Sequence, residues 1–263
     1  MKALIDGDIL VHRVAWTTEN DPVGIARYRF NEMVEGILRE VEAEKYQLFL
    51  SDLRENNFRT MLSATYKANR TQPRPKHYEY LKEYAIAEWD ARIAYGMEAD
   101  DALGIAQDYD EDIPNEVWQT CICSIDKDLH QVPGHHWNFV TKEAKRVSKL
   151  GGLKQFYKQC ILGDRTDNVF GYDGKIRDTK IPKFLLPTLE QLDACVTEQQ
   201  MFGLVEYLYD NKENLLLNGR LLKIKQQEEE PQWTFPLFET EQAVLSSSTP
   251  SKQEVPAQST ERI

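Results

Sequence analysis

Apolar residues recur along the chain in two spacings that predict different elements. Residues 29–45, RFNEMVEGILREVEAEK, repeat them every three or four positions, which predicts an amphipathic helix. Residues 46–51, YQLFLS, form a short apolar run, which predicts a buried strand that ends in Asp52. By the same criteria, strands are predicted in ALIDGD (3–8), WDARIAYG (89–96), EVWQTCICSID (116–126) and HHWNFV (135–140), and helices in KHYEYLKEYAIAE (76–88) and EADDALGIAQDY (98–109).

Strands that alternate with helices are typical of an α/β protein with a mostly parallel central sheet flanked by helices. After Lys149 the pattern becomes helical: residues 151–168 predict a helix that ends in a loop with Asp164 and Asp167, and residues 184–222 predict further helices. We therefore predict three parts. They are an α/β core over 1–150, a helical region over 151–225 and an acidic, largely disordered tail over 226–263, whose first portion is pinned by Trp233, Phe235, Leu237 and Phe238.

Composition narrows the class of protein. The mean hydropathy is −0.58 and no apolar run reaches the roughly 18 residues of a membrane helix. The chain opens in a predicted strand rather than a signal peptide, so we expect a cytoplasmic protein. Cys121 and Cys123 are too closely spaced for the usual zinc knuckle, and all four cysteines are expected to be reduced thiols.

The net charge of −11 taken alone argues against a nucleic-acid partner. The tail from Glu228 onward, however, carries seven glutamates against Lys252 and Arg262, a net of −5. Much of the remaining negative charge lies in clusters of carboxylates that cations can neutralise. The overall charge therefore does not exclude DNA.

Acidic residues gather at the predicted carboxyl ends of four strands. They are Asp6 and Asp8 after the first, Asp52 after the second, Glu98, Asp100 and Asp101 after the third, and Asp126 and Asp128 after the fourth. One such group at a helix start needs no function, because the helix dipole favours acids there by about 0.3–1 kcal/mol each. Four groups at strand ends, where open α/β sheets bind ligands, predict that the acids converge.

Converging carboxylates predict a site for Mg²⁺ or Mn²⁺, which prefer hard oxygen ligands. Two unit charges about 4 Å apart repel by on the order of 4 kcal/mol at an effective dielectric of 20. Two cations roughly 3.5–4 Å apart would offset that repulsion and suit a phosphoryl displacement. A further acidic pair, Asp164 and Asp167, follows the helix predicted after Lys149.

Basic residues mark the expected phosphate side of the site. The segment ATYKANRTQPRPKHYEY (64–80) holds Lys67, Arg70, Arg74 and Lys76 beside Tyr66. Lys67 and Arg70 are three positions apart and would share one face of a helix. A basic loop is usually only solvated. Opposite a metal site, cations beside an aromatic ring suit a nucleic-acid backbone and an unstacked base.

The ordered motifs of the chain resemble those of the FEN-type 5′ nucleases, and most of all the phage-encoded 5′→3′ exonucleases. The motifs are LIDGD (4–8), LSD (50–52), YKANR (66–70), EADDALG (98–104), SIDKDL (124–129) and GDRTDN (163–168), and the likeness runs from about residue 2 to 174. The resemblance implies a PIN/FEN-like fold. It also implies a Mg²⁺-dependent phosphodiesterase that acts at 5′ ends of duplex DNA. Nicks, flaps and RNA primers are further substrates that the resemblance implies, and phage replication or recombination is the process.

The resemblance also implies a role for each motif residue. Asp6, Asp52, Glu98, Asp100 and Asp101 would build the first metal site, and Asp126, Asp128, Asp164 and Asp167 the second, partly through waters. Lys67 and Arg70 would hold the scissile phosphate and stabilise developing charge. Tyr66 would stack on the terminal base. Asp8 is expected to cap the following helix.

Two departures from the family pattern change the expectations. Residues 71–77, TQPRPKH, lead almost directly into the next helix, so the arch that threads flaps is short, which favours an exonuclease. The glycine-rich helix–turn–helix is replaced by GYDGKIRDTKIPKFLL (171–186), which leaves K⁺ binding open. The candidate phosphate contacts there are Lys175, Arg177, Lys180 and Lys183. A role for the tail in recruiting a replication protein is also left open.

Three other functions compete with this interpretation. A haloacid-dehalogenase-type Mg²⁺ phosphatase would use Asp6, Asp8 and Ser124, but it needs Thr or Val where the chain has Leu10. A PIN-type ribonuclease shares the sheet and acids, but lacks the YKANR segment. A DNA-binding relative that does not cleave would have lost site acids, whereas this chain retains them.

Overall fold

The computed structural model describes residues 1–109, 119–175 and 181–238. Its centre is a six-stranded sheet of order β3-β2-β1-β4-β5-β6, in which only β6 runs antiparallel to its neighbour. The strands are β1 (Lys2–Asp6), β2 (Lys45–Ser51), β3 (Arg92–Ala94), β4 (Thr120–Cys123), β5 (Gly134–Asn138) and β6 (Glu143–Val147). The predicted α/β class with a mostly parallel sheet is confirmed.

Helices cover both faces of the sheet and then form the C-terminal region. They are α1 (Gly7–Thr17), α2 (Val23–Glu40), α3 (Phe58–Leu62), α4 (Tyr78–Trp89), α5 (Ala99–Ala106), α6 (Lys149–Leu162), α7 (Leu186–Ala194), α8 (Glu198–Leu208) and α9 (Lys212–Leu222). A short antiparallel pair, β7 (Gly163–Asp164) and β8 (Val169–Phe170), follows α6. No helix in these described ranges is both long and apolar enough to cross a bilayer.

Alternating side chains of the strands supply two separate apolar layers. Ile5 of β1 and Leu48 of β2 pack with α1, α2 and α4 on one face. Leu4 and Phe49 point to the other face, where α5 packs. This alternation is what the pleat of a strand imposes. Because β1 to β5 run parallel, their carboxyl ends meet at one edge of the sheet.

The structure departs from the predicted elements in several places. The turn predicted after β1 is the start of α1, because Asp6 caps that helix by accepting from the N–H of Ile9 at 3.1 Å. Gly7 permits this close packing, since a Cβ there would lie 2.5 Å from the carbonyl oxygen of Phe49. The predicted strand over 89–96 shortens to β3, and β6 was not predicted, because its residues 143–146 are all exposed and three of them are charged.

Residues 226–238 return across the C-terminal helices. The ring of Trp233 lies against Gly219, where a Cβ would come within 2.1 Å of it, and 5.4 Å from the ring of Phe156. Phe235 lies 5.6 Å from Phe202. The pinning predicted for this stretch is thus observed for Trp233, Phe235 and Phe238, whereas Leu237 is exposed. The division into three parts remains a prediction, and residues 239–263 lie outside the described residues.

The cysteines are free thiols, as predicted. Cys121, Cys123 and Cys160 are buried, and Cys195 is partly exposed. Burial raises the pKa of Cys160, so its thiol stays protonated. These residues therefore pack as small apolar side chains.

Candidate active site

Acidic residues from distant parts of the chain meet where the parallel strands end. Asp6 is the last residue of β1, and Asp8 follows it in the first turn of α1. Glu98 and Asp100 begin α5, just after β3, and Asp126 follows β4. The sheet order places β1 between β2 and β4, so these ends are neighbours. The predicted convergence is observed for most, but not all, of the acids.

Asp6 and Asp8 lie at the centre of this edge. Oδ2 of Asp6 accepts from the hydroxyl of Ser124 at 2.7 Å, and Oδ2 of Asp8 accepts from the N–H of Ser51 at 3.0 Å. Burial, reinforced by the charges of Asp8 and Asp126, raises the pKa of Asp6 to about 7. Burial also raises the pKa of Asp8. Asp8 thus belongs to the acid cluster, and the helix cap expected of it is made by Asp6.

A second group of acids adjoins the first. Asp128 donates its N–H to Oδ1 of Asp126 at 2.9 Å, and the N–H of Asp167 donates to Oδ1 of Asp164 at 3.1 Å. Burial, then the charges of Asp126 and Asp164, raises the pKa of Asp128 to about 9. Burial and then the charges of Asp6 and Asp126 raise the pKa of Asp100 well above its usual value. The two groups therefore form one mutually repelling cluster.

Lys67 places its ammonium among these acids. It bonds to Oε1 of Glu98 and lies 3.5 Å from Oδ1 of Asp167. Burial opposes ionisation of Glu98, but Lys67 and Arg59 outweigh it and lower the pKa of Glu98 to about 2. Lys67 has φ +53°, a left-handed backbone that a lysine rarely adopts, and its N–H donates to the carbonyl of Asp167 at 2.9 Å.

The YKANR segment docks onto the loop that holds Asp167. Arg70 donates from Nη2 to Oδ1 of Asp167 at 2.9 Å, and Asn69 donates to the carbonyl of Arg165 at 2.7 Å. In return, Asn168 donates to the carbonyl of Thr65 at 2.8 Å. These bonds span about a hundred residues of sequence. Lys67 and Arg70 are therefore brought to the acids, as predicted, by a loop-to-loop contact rather than by a shared helix face.

Tyr66 does not occupy the position expected of a stacking platform. Its side chain is only 2% exposed and packs in the C-terminal apolar cluster. Its hydroxyl donates to Oε2 of Glu98 and lies within bonding distance of Oδ2 of Asp167, both at 2.7 Å. A ring enclosed in this way cannot stack on a base. Tyr66 is therefore not the predicted stacking platform, and its hydroxyl instead bridges two site acids, Glu98 and Asp167.

Asp101 is also placed differently from the expectation. It is fully buried, and its two carboxylate oxygens accept from Nη1 and Nη2 of Arg59, the second bond being 2.8 Å long. It further accepts from the N–H groups of Glu98 and Lys225. With both oxygens engaged, Asp101 has no free lone pairs directed at the site. Its part in the structure is an internal ion pair.

Asp52 lies outside the cluster for a similar reason. Its oxygens accept from the N–H of Leu53 at 2.7 Å, the side chain of Asn56 at 3.1 Å and the N–H of Gly96 at 2.9 Å. The first two bonds close the loop after β2, and the third joins it to the turn after β3. The structure thus brings Asp8 rather than Asp52 to the other acids.

Arg59 is the functional neighbour that the sequence did not reveal. Besides Asp101, it donates to the carbonyls of Leu221 and Lys223 at 2.8 and 2.7 Å, and lies 3.6 Å from Oε2 of Glu98. It therefore ties α3 to α5 and to the end of α9. Only its position, eight residues before Lys67 in a partly apolar segment, hinted at a buried cation.

The remaining predicted contacts lie around the rim. Arg74 is exposed, pairs with Glu79 and lies 4.7 Å from the ring of Tyr78. The backbone N–H of Lys76 donates to Glu19 at 2.7 Å, and Lys175 is exposed. Lys180 lies outside the described residues. None of these side chains touches the site acids in the described part of the chain.

The donor chemistry of the cluster fits a divalent cation. Its side chains offer hard carboxylate oxygens, the ligands that Mg²⁺ and Mn²⁺ prefer. The ammonium of Lys67 between Glu98 and Asp167 shows that a cation is accommodated among them. Within the described ranges, no three Asp, Glu, His or Cys side chains stand in a preformed metal-binding arrangement. Binding would therefore draw the carboxylates together.

Solved structures of bacteriophage T5 proteins share this fold. The T5 D15 protein, co-crystallised with metal ions, has a TM-score of 0.59 at 15% identity over 84% of this chain and 88% of that chain. The T5 5′-exonuclease with bound zinc has a TM-score of 0.57 at 17% identity over 84% of this chain and 89% of that chain. A T5 flap endonuclease complex with DNA and metal ions scores 0.56 at 17% over 84% and 88%.

Sequence comparison gives the family directly. No curated protein matches the chain. A family model described as the 5′-3′ exonuclease, N-terminal resolvase-like domain, matches residues 2–158, more than half of the chain. That range contains β1 to β6 and every acid of the cluster except the pair after α6. The chain therefore belongs to the family of 5′-3′ exonucleases, enzymes that act on phosphodiester bonds, through its N-terminal resolvase-like domain.

Proposed function

We propose that this protein is a 5′→3′ exonuclease that hydrolyses phosphodiester bonds at the 5′ ends of duplex DNA and depends on Mg²⁺ or Mn²⁺. The observation that carries the proposal is the meeting of Asp6, Asp8, Asp100 and Asp126 at one sheet edge, with Lys67 set against Glu98. The T5 relatives whose names include metal ions and DNA support it. We extend the proposal to nicks, flaps and RNA primers as substrates, and to a cytoplasmic role in phage DNA replication.

One divalent cation would be held by Asp6, Asp8 and Asp100 with Glu98. A second would be held by Asp126, Asp128, Asp164 and Asp167. When bound, such ions stabilise the negative charge that develops on the attacked phosphate. The segment 171–186, to which the question of K⁺ binding belongs, is described only in part, since residues 176–180 lie outside the described ranges. Asp52 braces the loop after β2 in this proposal, and Asp101 holds Arg59.

The chain's own residues orient the substrate. Lys67 and Arg70 pair with Glu98 and Asp167 in the structure. Once cations neutralise those acids, the two basic groups are available to a phosphate oxygen. A fixed positive charge beside the scissile phosphate stabilises developing charge without reorganisation. Tyr66 keeps Glu98 and Asp167 at a constant separation by bonding to both.

A time course on matched DNA substrates tests the activity. Duplexes labelled at the 5′ or the 3′ end are incubated with the protein in Mg²⁺, in Mn²⁺ and in EDTA. We expect the 5′ label to be released as short products first, and no release in EDTA. The cleavage rates on nicked, flapped and RNA-primed duplexes rank these DNAs as substrates. Cleavage in EDTA, or hydrolysis of phosphomonoesters with DNA left intact, would reject the proposal.

Substitutions at the acids test the site itself. Asp100→Asn and Asp126→Asn should abolish cleavage while DNA binding persists, because lost ligands act mainly on the transition state. Lys67→Met should lower the cleavage rate at saturating DNA by on the order of 10²-fold, the effect of removing a fixed charge donor. Normal rates in both Asp variants would show that the site lies elsewhere.

Asp8 and Asp52 provide an internal comparison. Asp8 lies among the other acids, whereas Asp52 bonds within the loop after β2, so Asp8→Asn should reduce activity far more than Asp52→Asn. The two substitutions remove the same charge. The reverse ranking would return Asp52 to the metal site and assign Asp8 a supporting role.

A further inference from the structure

A group of cationic side chains lies beside the active site, apart from Lys67 and Arg70. It consists of the cations Lys127, Lys145 and Lys158, together with the ring of His130 that Lys145 contacts, and we call it the lysine patch. Lys127 stands between Asp126 and Asp128 and immediately precedes a short 3₁₀ turn, Asp128–Gln131, which carries His130. Lys145 lies in the edge strand β6, and Lys158 lies on α6. Three separate elements thus contribute to the patch.

Hydrogen bonds hold these elements together at the patch. Nζ of Lys145 lies 3.0 Å from Nδ1 of His130, and an ammonium can only donate in that pair. Gln131, the residue after His130, donates to Oε1 of Gln159 at 2.6 Å. Gln159 in turn follows Lys158 in α6. A buried bond thus joins the 3₁₀ turn to α6, and an exposed one joins it to β6.

The lysine patch has no anionic partner among the residues described. In those ranges, no carboxylate forms an ion pair with Lys127, Lys145 or Lys158. Burial and then the charges of Lys158 and Lys127 lower the pKa of Lys145. Cations that repel one another would be stabilised by an added anion.

We propose that the lysine patch binds phosphate groups of the DNA duplex away from the bond that is cut. The inference rests on the proposed function and adds a second contact surface to it. The patch begins one residue from Asp126 and extends towards β6, whereas α5 with Glu98 follows β3 at the other edge of the sheet. A duplex carries about one negative charge per 1.7 Å of its axis. A duplex whose end enters the site past Asp126 therefore brings further phosphates to these lysines.

Binding experiments with a matched control test the inference. Lys145→Met/Lys158→Met removes two charges and keeps the apolar stems. Lys2→Met/Lys45→Met removes the same charge from paired positions at the amino ends of β1 and β2, away from the site. The affinity of each variant for a fluorescent duplex is measured by anisotropy in EDTA over a series of KCl concentrations.

We expect the patch variant to bind roughly ten-fold more weakly in 0.1 M KCl, with a salt slope of log K smaller by about two, one for each lost phosphate contact. The control should change the affinity by less than about two-fold, since exposed charges beyond roughly 10 Å are screened at that salt. For the patch variant, kcat at saturating DNA should be unchanged and KM should be raised. Thermal unfolding verifies that both variants are folded, and Lys145→Met alone serves if the double variant is not.

Neutral linkages in the DNA locate the contact. Replacing single phosphates by methylphosphonates should weaken binding of the unsubstituted protein at positions remote from the cut. In the patch variant, the same replacements should have no effect. If both proteins respond equally, the patch does not touch those phosphates.

The outcomes separate the two proposals. If the parent protein neither binds nor cuts duplex DNA, both the proposed function and the inference are wrong. A protein that cuts duplex DNA, while its patch variant keeps the affinity and salt slope of the parent, would overturn the inference alone.

Discussion

Single side chains show why an acid in a motif and an acid in a metal site are not equivalent. Asp100 and Asp101 are adjacent in sequence and identical in chemistry. Asp100 lies in the electrostatic field of Asp6 and Asp126, whereas both carboxylate oxygens of Asp101 are paired with the guanidinium of Arg59. A buried cation thus decides the role of its partner, because breaking such a pair costs on the order of 3–5 kcal/mol.

A double-mutant cycle should reveal that pair. Arg59→Met and Asp101→Leu are each expected to lower the free energy of unfolding by about 3 kcal/mol, since each leaves a buried charge without its partner. The double variant should lose less than the sum by about 2 kcal/mol. Urea unfolding followed by circular dichroism measures both quantities.

The exposed pair Arg39–Glu35 provides the control for the cycle. Its coupling energy should stay below about 0.5 kcal/mol, as for other solvent-exposed pairs on helices. Equal coupling in the two cycles would contradict a special role for Arg59.

His136 is expected to make the protein less stable in acid. Burial, aided by nearby His130 and Lys145, lowers the pKa of His136 to about 4, although its bond to the carbonyl of Val132 opposes the shift. The unfolded chain takes up a proton near the ordinary value of 6.5, which the folded protein does not accept until about pH 4. The contribution of neutral His136 is therefore intact above pH 6.5 and lost as the pH falls towards 4.

The full loss would be on the order of 3 kcal/mol, at about 1.4 kcal/mol per pKa unit. Unfolding of the parent and of His136→Gln should be compared at pH 8 and at pH 5. The stability difference between them should narrow or reverse at pH 5. A difference that is the same at both pH values would show that His136 protonates normally in the folded protein.

Elements position the site through loops rather than through regular structure. The YKANR segment lies between α3 and α4, and it reaches the acids because the loop after α6 receives it. The stretch 226–238 acts similarly, since its aromatic rings cover α8 and α9 without forming a helix or strand. These segments carry few periodic signals, which is why sequence patterns describe them poorly.

Trp233 should account for much of the adhesion of that stretch. Trp233→Ala is expected to lower the free energy of unfolding by about 2 kcal/mol, less than for a fully buried aromatic because the ring is partly exposed. Leu237→Ala, at a side chain that is 59% exposed, should change it by less than about 0.5 kcal/mol. Chemical denaturation of the two variants provides the comparison. Equal effects would mean that Trp233 does not anchor the stretch.

At the scale of the whole molecule, the site is a meeting of carboxylates that repel one another until cations arrive. Divalent cations should therefore stabilise the folded chain. At a concentration 100 times the dissociation constant, binding contributes about 2.7 kcal/mol. For a protein of this size, that corresponds to an increase in Tm of roughly 5–10 °C.

Differential scanning fluorimetry with increasing Mn²⁺ or Mg²⁺ measures the shift. Asp100→Asn should reduce it, whereas Asp52→Asn should leave it intact. An unchanged Tm in the parent protein would argue against a metal site in this cluster.

The sequence by itself determined the α/β class, most of the strands and the order of the acidic motifs. These properties follow from local spacing, since side-chain period and strand ends can be read along the chain. It also placed Lys67 and Arg70 beside the acids, through their resemblance to a family motif.

Only the tertiary structure decided which acids face one another. Asp52 and Asp101 fall into motifs as well as Asp8 does, yet neighbouring N–H groups and Arg59 take up their oxygens. It likewise buried Tyr66 and gathered Lys127, Lys145 and Lys158 from three elements. Hydrogen-bond partners and fields from remote segments set these roles, and no local pattern in the chain encodes them.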